Sequence, residues 1–169
     1  MTDATESLRA LGQRVQQLED RLAIYQLLAT YGPGVDSASS RTVAALWSED
    51  GVYDVTGQEL LVGASEIGEL VYREPHRTYV AAGCAHVISL PHLVLHGDKA
   101  VATCHSRLYV REGPHWCIAR LSANRWELAR TTEGWKVTRR TNRLLDGSEK
   151  SRDLFTEGLR QTPPAEVAG

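Results

Sequence analysis

Apolar residues at Leu8, Leu11, Val15, Leu18 and Leu22 recur in alternating steps of three and four, a narrow heptad-like seam. Beyond Leu22 the stripe widens, with Ile24, Leu27, Leu28 and Tyr31 at helical spacing. Together these positions predict one long helix over about residues 7–31, kinked near Gly12. Its first half is too short for an independent coiled coil and is expected to pack on a neighbouring subunit or on the chain's own sheet. Gly32-Pro33-Gly34 should end the helix, because proline and glycine both disfavour a helix interior. Asp36 follows at once. Its carboxylate either caps the next helix or stands free beside the apolar face.

Further along, Val43, Ala44, Leu46 and Trp47 form one side of a short helix over 40–47. Residues 52–55 and 60–62 read as short strands about a turn at Gly57. A third helix spans 64–72, with Ser65 as its N-cap, Ile67, Leu70 and Val71 facing inward, and Pro75 ending it. From there the pattern changes period. Residues 83–96, 99–110, 115–129 and 135–145 are rich in β-branched and aromatic side chains. The turns between them carry Gly97-Asp98, Glu112-Gly113-Pro114 and Thr131-Thr132-Glu133-Gly134. Connections this short imply an antiparallel meander. Pro91 marks an edge position or a bulge in the first run. The expected organisation is a disordered stretch at 1–6, one α+β domain over 7–145 and a polar, mobile tail over 146–169.

Three helices followed by a curved antiparallel sheet assemble as a cone: the sheet wraps the helices and leaves a pocket open at the wide end. Alternation places His105, Arg107 and Tyr109 on one face of the second long strand, taken as the pocket face, and Cys104, Leu108 and Val110 on the outer one. On the third, Arg120, Ser122, Asn124 and Trp126 share a face; on the first, His86, Ile88 and Leu90 do. Buried polar groups need partners, so their recurrence on three strands favours a polar-spotted cavity over a plain core. Trp47 and Tyr53, from the second helix and the strand after it, complete the expected lining.

Composition narrows the classes. A chain of 169 residues with a formal charge of −2 and no basic block is a poor match for a nucleic-acid or anionic-membrane surface. It contains no apolar run of membrane-spanning length. Cys84, Cys104 and Cys117 are odd in number and form no C-x-x-C pair; they read as reduced strand residues in a cytoplasmic protein. His92 and His96 are four apart on a strand, about 13 Å from each other, too far to share one metal ion. No Gly-x-Gly-x-x-Gly or phosphate-loop pattern occurs, so neither a metal nor a nucleotide cofactor is expected.

Two stretches, Leu22-Ala-Ile-Tyr-Gln-Leu-Leu-Ala-Thr-Tyr-Gly-Pro-Gly-Val-Asp36 and Ala45-Leu-Trp-Ser-Glu-Asp-Gly-Val-Tyr-Asp54, resemble the opening of SnoaL-like proteins of the nuclear transport factor 2-like superfamily. Thr132-Glu-Gly-Trp-Lys-Val137 resembles their closing strand. The resemblance covers about residues 18–145 and implies the cone-shaped α+β barrel. Within the superfamily the chain is most similar to scytalone dehydratase, hexachlorocyclohexane dehydrochlorinase and bile-acid 7α-dehydratase. It implies a catalytic dyad of Asp36 and His86, with Tyr31 at the position of the bile-acid enzyme's tyrosine. Ser122-Ala-Asn124 matches a Ser-Ala-Asn in the scytalone dehydratase pocket. That enzyme's two water-binding tyrosines fall at Val35 and Val55, and its second catalytic histidine at Arg111. These departures argue against a scytalone dehydratase and leave the substrate open. The lyases it resembles are trimers, so a homo-oligomer is expected, a trimer before a dimer.

The chemistry of the pair agrees. A histidine of pKa about 6.5 takes a proton at neutral pH, and a carboxylate fixes its tautomer. Tyr31, His105 or Asn124 could hydrogen-bond the oxygen where charge develops. Two functional classes follow: a cofactor-free lyase or isomerase for a small, hydrophobic, oxygenated molecule (a steroid, a polyketide or an aromatic metabolite), or a non-catalytic ligand-binding or assembly module on the same fold.

Overall fold

The computed structural model describes residues 2–160. Helix α1 (Thr2–Asp36) is followed by α2 (Ser40–Ala44), strands β1 (Trp47–Val55) and β2 (Glu59–Val62), and α3 (Ala64–Glu69) with a 3-10 turn at Leu70–Tyr72. Then come α4 (His76–Ala82), β3 (Cys84–Ile88), β4 (His92–His96), β5 (Lys99–Glu112), β6 (His115–Thr131), β7 (Gly134–Leu144) and α5 (Glu149–Arg160). The sheet runs β2-β1-β7-β6-β5-β3, with β4 on the same edge of β5 as β3. All pairs are antiparallel except β1 with β7, so the sheet is mixed. This is the expected α+β architecture: a long first helix held in a curved, mainly antiparallel sheet.

Residues Ile24, Leu28, Tyr31 and Val35 are the buried stripe of α1. They share one core with Trp47, Tyr53, Ala102, Cys104, Trp126 and Val137. Burying each large aliphatic side chain there contributes about 1.5–3 kcal/mol before the entropy of ordering is subtracted. Asp20 ties the helix to the far end of the sheet, accepting from Trp135 Nε1 at 3.2 Å and from the Arg130 guanidinium.

The structure departs from the pattern at four places that bear on the site. Helix α1 starts before residue 7 and does not end at Gly32-Pro33-Gly34; it continues to Asp36 with Pro33 inside it. The glycines serve close approach instead. A Cβ on Gly32 would overlap the backbone carbonyl of His86, and one on Gly34 would press on Thr42 and Val43. Pro75 does not merely close the preceding helix: it stands at the N-cap of α4, which the periodicity missed. Ser65, expected as an N-cap, lies inside α3, whose N-cap is Gly63. Residues 83–96 are two strands, interrupted at 89–91 around Pro91.

The stretch after Asp146, expected as a polar tail, contains α5. It buries Ser151, Leu154 and Gly158, packs Phe155 at a tilt against His105 and sets Gly158 against Thr103. Residues 161–169 of that expected tail lie outside the described residues.

Candidate active site

Asp36 reaches the wall of the cone because α1 runs one turn past its glycines, and His86 because β3 presses its backbone on Gly32. The Asp36 carboxylate grips the strand twice. Oδ1 accepts from His86 Nδ1 at 2.6 Å, and Oδ2 from the His86 backbone N–H at 2.8 Å. The Cys84 thiol donates to the same Oδ1 at 3.4 Å. With Nδ1 held on the carboxylate, the imidazole has Nε2 left for chemistry, and the ring lines a cavity of about 170 Å³. Asp36 and His86 are fifty residues apart in sequence.

The electrostatics keep the pair in its working form. Burial pushes the Asp36 carboxyl up, but the His86 ring, its backbone N–H and the Cys84 thiol outweigh this, so its pKa lies below the ordinary carboxylate value. Burial pulls the His86 imidazole down; Asp36 opposes this only in part, and His76 and Arg120 add to the lowering. The aspartate is therefore ionised and the histidine neutral at pH 7, the states a general base and its orienting partner need. Burial and the neighbouring Asp36 charge push the Cys84 thiol up to about 12, and burial pushes Cys104 to about 11, so neither is a ready nucleophile.

Asp36, Cys84 and His86 bring three potential metal-ligand atoms within 4.8 Å. These atoms are engaged with one another. Asp36 and His86 are hydrogen-bonded to each other and the Cys84 thiol, its pKa pushed up, donates to the same carboxylate, so the donor set suits proton transfer.

Tyr31, Tyr53, His76, Tyr79 and Arg120 share the cavity wall with His86, alongside Val55, Leu61, Leu70 and Pro75; Glu59, Arg73 and Glu74 stand at its exposed rim. His76 packs on His86 with ring centres 5.3 Å apart and donates Nε2–H to the Val35 carbonyl at 2.8 Å. A narrow cleft of about 10 Å³, one water across, continues inward between Tyr31, His86, Ser106, Arg120 and Arg140.

Arg140 is the residue that alternation missed. It is 3 % exposed, and its guanidinium lies 4.3, 4.6 and 4.1 Å from the ring centres of Tyr31, Tyr53 and Trp126. Nε and Nη2 donate to Asn124 Oδ1 at 3.0 and 2.8 Å, while Nη1 has no partner among the described residues. Strict period two from the buried Trp135 and Val137 would have turned Arg139 inward. A bulge shifts the β6–β7 register between Glu127 and Leu128 and reverses the parity of β7, so Arg140 and Asn142 face the core.

Other expected lining residues take different places. His105 is exposed on the opposite face of β5, under Phe155; Cys104, Ser106 and Leu108 are the inward set. The expected face of β5 is thus reversed, and the outward apolar patch once placed at Cys104, Leu108 and Val110 is buried. The parity was ambiguous because α5 half-covers the outer face at Thr103 and His105. Trp47 and Trp126 are core residues behind the wall. Ser122 and Asn124 are fully buried behind it too, where Asn124 donates to Ser106 Oγ at 2.7 Å and accepts from Arg140. Tyr31 and Tyr53 line the cavity.

Comparison with known proteins places this geometry. The SnoaL-like domain model matches residues 16–141. None of the curated protein sequences compared with the chain matches it. An NTF2-like protein with a cystatin-like fold from Novosphingobium aromaticivorans is 41% identical, with a TM-score of 0.85 over 87% of this chain and 96% of that one. A hexachlorocyclohexane dehydrochlorinase from Novosphingobium barchaimii is 20% identical at a TM-score of 0.68, covering 78% of this chain and 90% of its own. A protein provisionally assigned as a scytalone dehydratase, also from N. aromaticivorans, is 18% identical at 0.65 over 76% and 85%. At those lower identities the likeness is one of fold. Among the described residues no helix is long and apolar enough to cross a membrane. The family model covers most of the chain and agrees with the fold: the protein belongs to the SnoaL-like family and has the NTF2-like architecture.

Proposed function

We propose that this chain is a cofactor-independent lyase of the dehydratase type, or an isomerase, acting on a small, largely hydrophobic, oxygenated metabolite. One observation carries the reading: Asp36 and His86, from elements that nothing local brings together, meet at 2.6 Å, and the His86 ring that Asp36 holds lies on the wall of the cavity. His86 Nε2 removes a proton from carbon next to a carbonyl, and Asp36 stabilises the imidazolium that results. The electron pair of the broken C–H bond passes to the carbonyl oxygen as an enolate. Arg140 and the Tyr31 hydroxyl, both on the lining of the inner cleft, are the donors this reading assigns to that oxygen. The enolate then expels a hydroxyl from the adjacent carbon, which leaves as water with the imidazolium proton. If the proton returns at another carbon instead, the outcome is isomerisation.

The test uses a panel of β-hydroxy carbonyl compounds (steroidal, polyketide and aromatic) incubated with the protein in D2O. Loss of one water, or uptake of one deuteron beside the carbonyl, is expected by mass spectrometry. His86→Gln should lower that rate by about 10²–10⁴-fold with the fold intact by circular dichroism. Full exchange activity in His86→Gln would exclude the mechanism. Tight binding of panel members with neither exchange nor loss of water would assign the chain to the binding modules of the fold.

A further inference from the structure

The buried stripe of α1 ends, toward the amino terminus, at Asp20; from Ala4 to Glu19 every residue is exposed. This half of the helix is nonetheless not polar. Leu8, Leu11, Val15, Leu18 and Leu22 are 69, 55, 46, 66 and 64 % exposed and form a single seam about 21 Å long. Leu18 and Leu22 lie two residues either side of Asp20, roughly 200° around the helix, so the seam faces away from the domain that holds the helix. It runs on into an apolar groove lined by Leu22, Tyr25, Leu28, Ile88, Leu90 and Pro91. The earlier alternatives were a neighbouring subunit or the chain's own sheet, and the sheet does not cover it.

We infer that this face pairs two copies of the chain as a parallel, in-register two-stranded coiled coil. Steps of three and four make Leu8, Val15 and Leu22 the a positions of a heptad and Leu11 and Leu18 the d positions. Leucine at both d layers around a β-branched valine at the central a layer favours two strands over three, in place of the trimer that the resemblance implies. The flanking charges choose the partner and its direction. Arg14 is at g and Glu19 at the following e, the positions that face each other between parallel, in-register chains. Each end of the pair therefore occurs twice in a dimer, as a closed two-fold contact requires. Antiparallel pairing would instead set the g residues Arg14 and Arg21 against their own kind. This inference concerns assembly and does not rest on the proposed chemistry.

Sedimentation equilibrium of the full chain at micromolar concentration tests it. The expected result is a dimer that Leu11→Glu/Leu18→Glu converts to monomer without changing the near-ultraviolet circular dichroism of the core. Arg14→Glu should weaken the dimer by up to about tenfold at low salt, and Arg14→Glu/Glu19→Arg should restore it. Mild oxidation of Val15→Cys should yield a covalent dimer that the wild type does not, because paired a positions bring their Cβ atoms within disulfide reach. A monomeric wild type, an oligomer that survives the double glutamate variant, a trimer, or failure of Val15→Cys to cross-link would each overturn the proposal.

Discussion

Replacing Arg140 by methionine separates what the residue does for stability from what it does for the site. The guanidinium is almost wholly buried, held by two hydrogen bonds to one amide oxygen and by three aromatic faces, with no carboxylate among its contacts. Charge-assisted bonds contribute about 1.5–3 kcal/mol each, and desolvated cation–π contacts about 0.5–2 kcal/mol each. Burying the ion costs several kcal/mol in return. These terms nearly cancel, but Arg140→Met, similar in length and able to fill the space among the rings, leaves the buried Asn124 Oδ1 without a donor and should cost about 1–3 kcal/mol. For a domain of this size each kcal/mol is about 2–4 °C in melting temperature. Asn124→Leu takes away the acceptor and leaves the charge buried, which should cost about 3–5 kcal/mol. Urea denaturation of the two variants measures the difference. Turnover should fall by about 10²–10³-fold in Arg140→Met if Nη1 holds the developing oxyanion. The reasoning fails if Arg140→Met is the less stable of the two variants, or if it retains full activity while folded.

Four other outcomes follow from the structure. Gly32→Ala should force β3 off α1 at the His86 carbonyl, lowering both activity and melting temperature, whereas Gly12→Ala, with open space around it, should raise helix stability slightly. The rate should climb along an acid limb with an apparent pKa below 6.5 and be flat above it, because the folded His86 binds its proton more weakly than a free imidazole; Asp36→Asn should move that limb lower still as well as slowing the reaction. Stability should change with the same sign: as pH falls from 6.5 toward the lowered His86 pKa, and again from 3.8 toward the lowered Asp36 pKa, the unfolded chain takes up protons more readily and stability is lost, which acid titration of circular dichroism will show. Leu154→Ala should destabilise the protein by about 2 kcal/mol, since α5 is packed on the sheet.

Local pattern was enough for the presence of the first helix, though not its ends, and for the last three β runs and the turns between them, because period and turn chemistry are properties of neighbouring residues. Pattern alone left Asp36 open between a helix cap and a free carboxylate; it was the resemblance of the opening and closing stretches to a family that made Asp36, His86 and Tyr31 the candidates. What the pattern could not show depends on contacts between distant residues. Gly32-Pro33-Gly34 looks like a helix break from within, and only the His86 carbonyl packed against Gly32 shows why the helix runs on to Asp36. The face of β5 was misread because the outer face is itself part-covered, at Thr103 and beside His105, by a helix built from an apparently polar tail. Arg140 reaches the inner cleft through a bulge whose extra residue is counted only against the partner strand. Period two tells which residues share a face, but which face looks inward, and where the count slips, is decided by what packs against it.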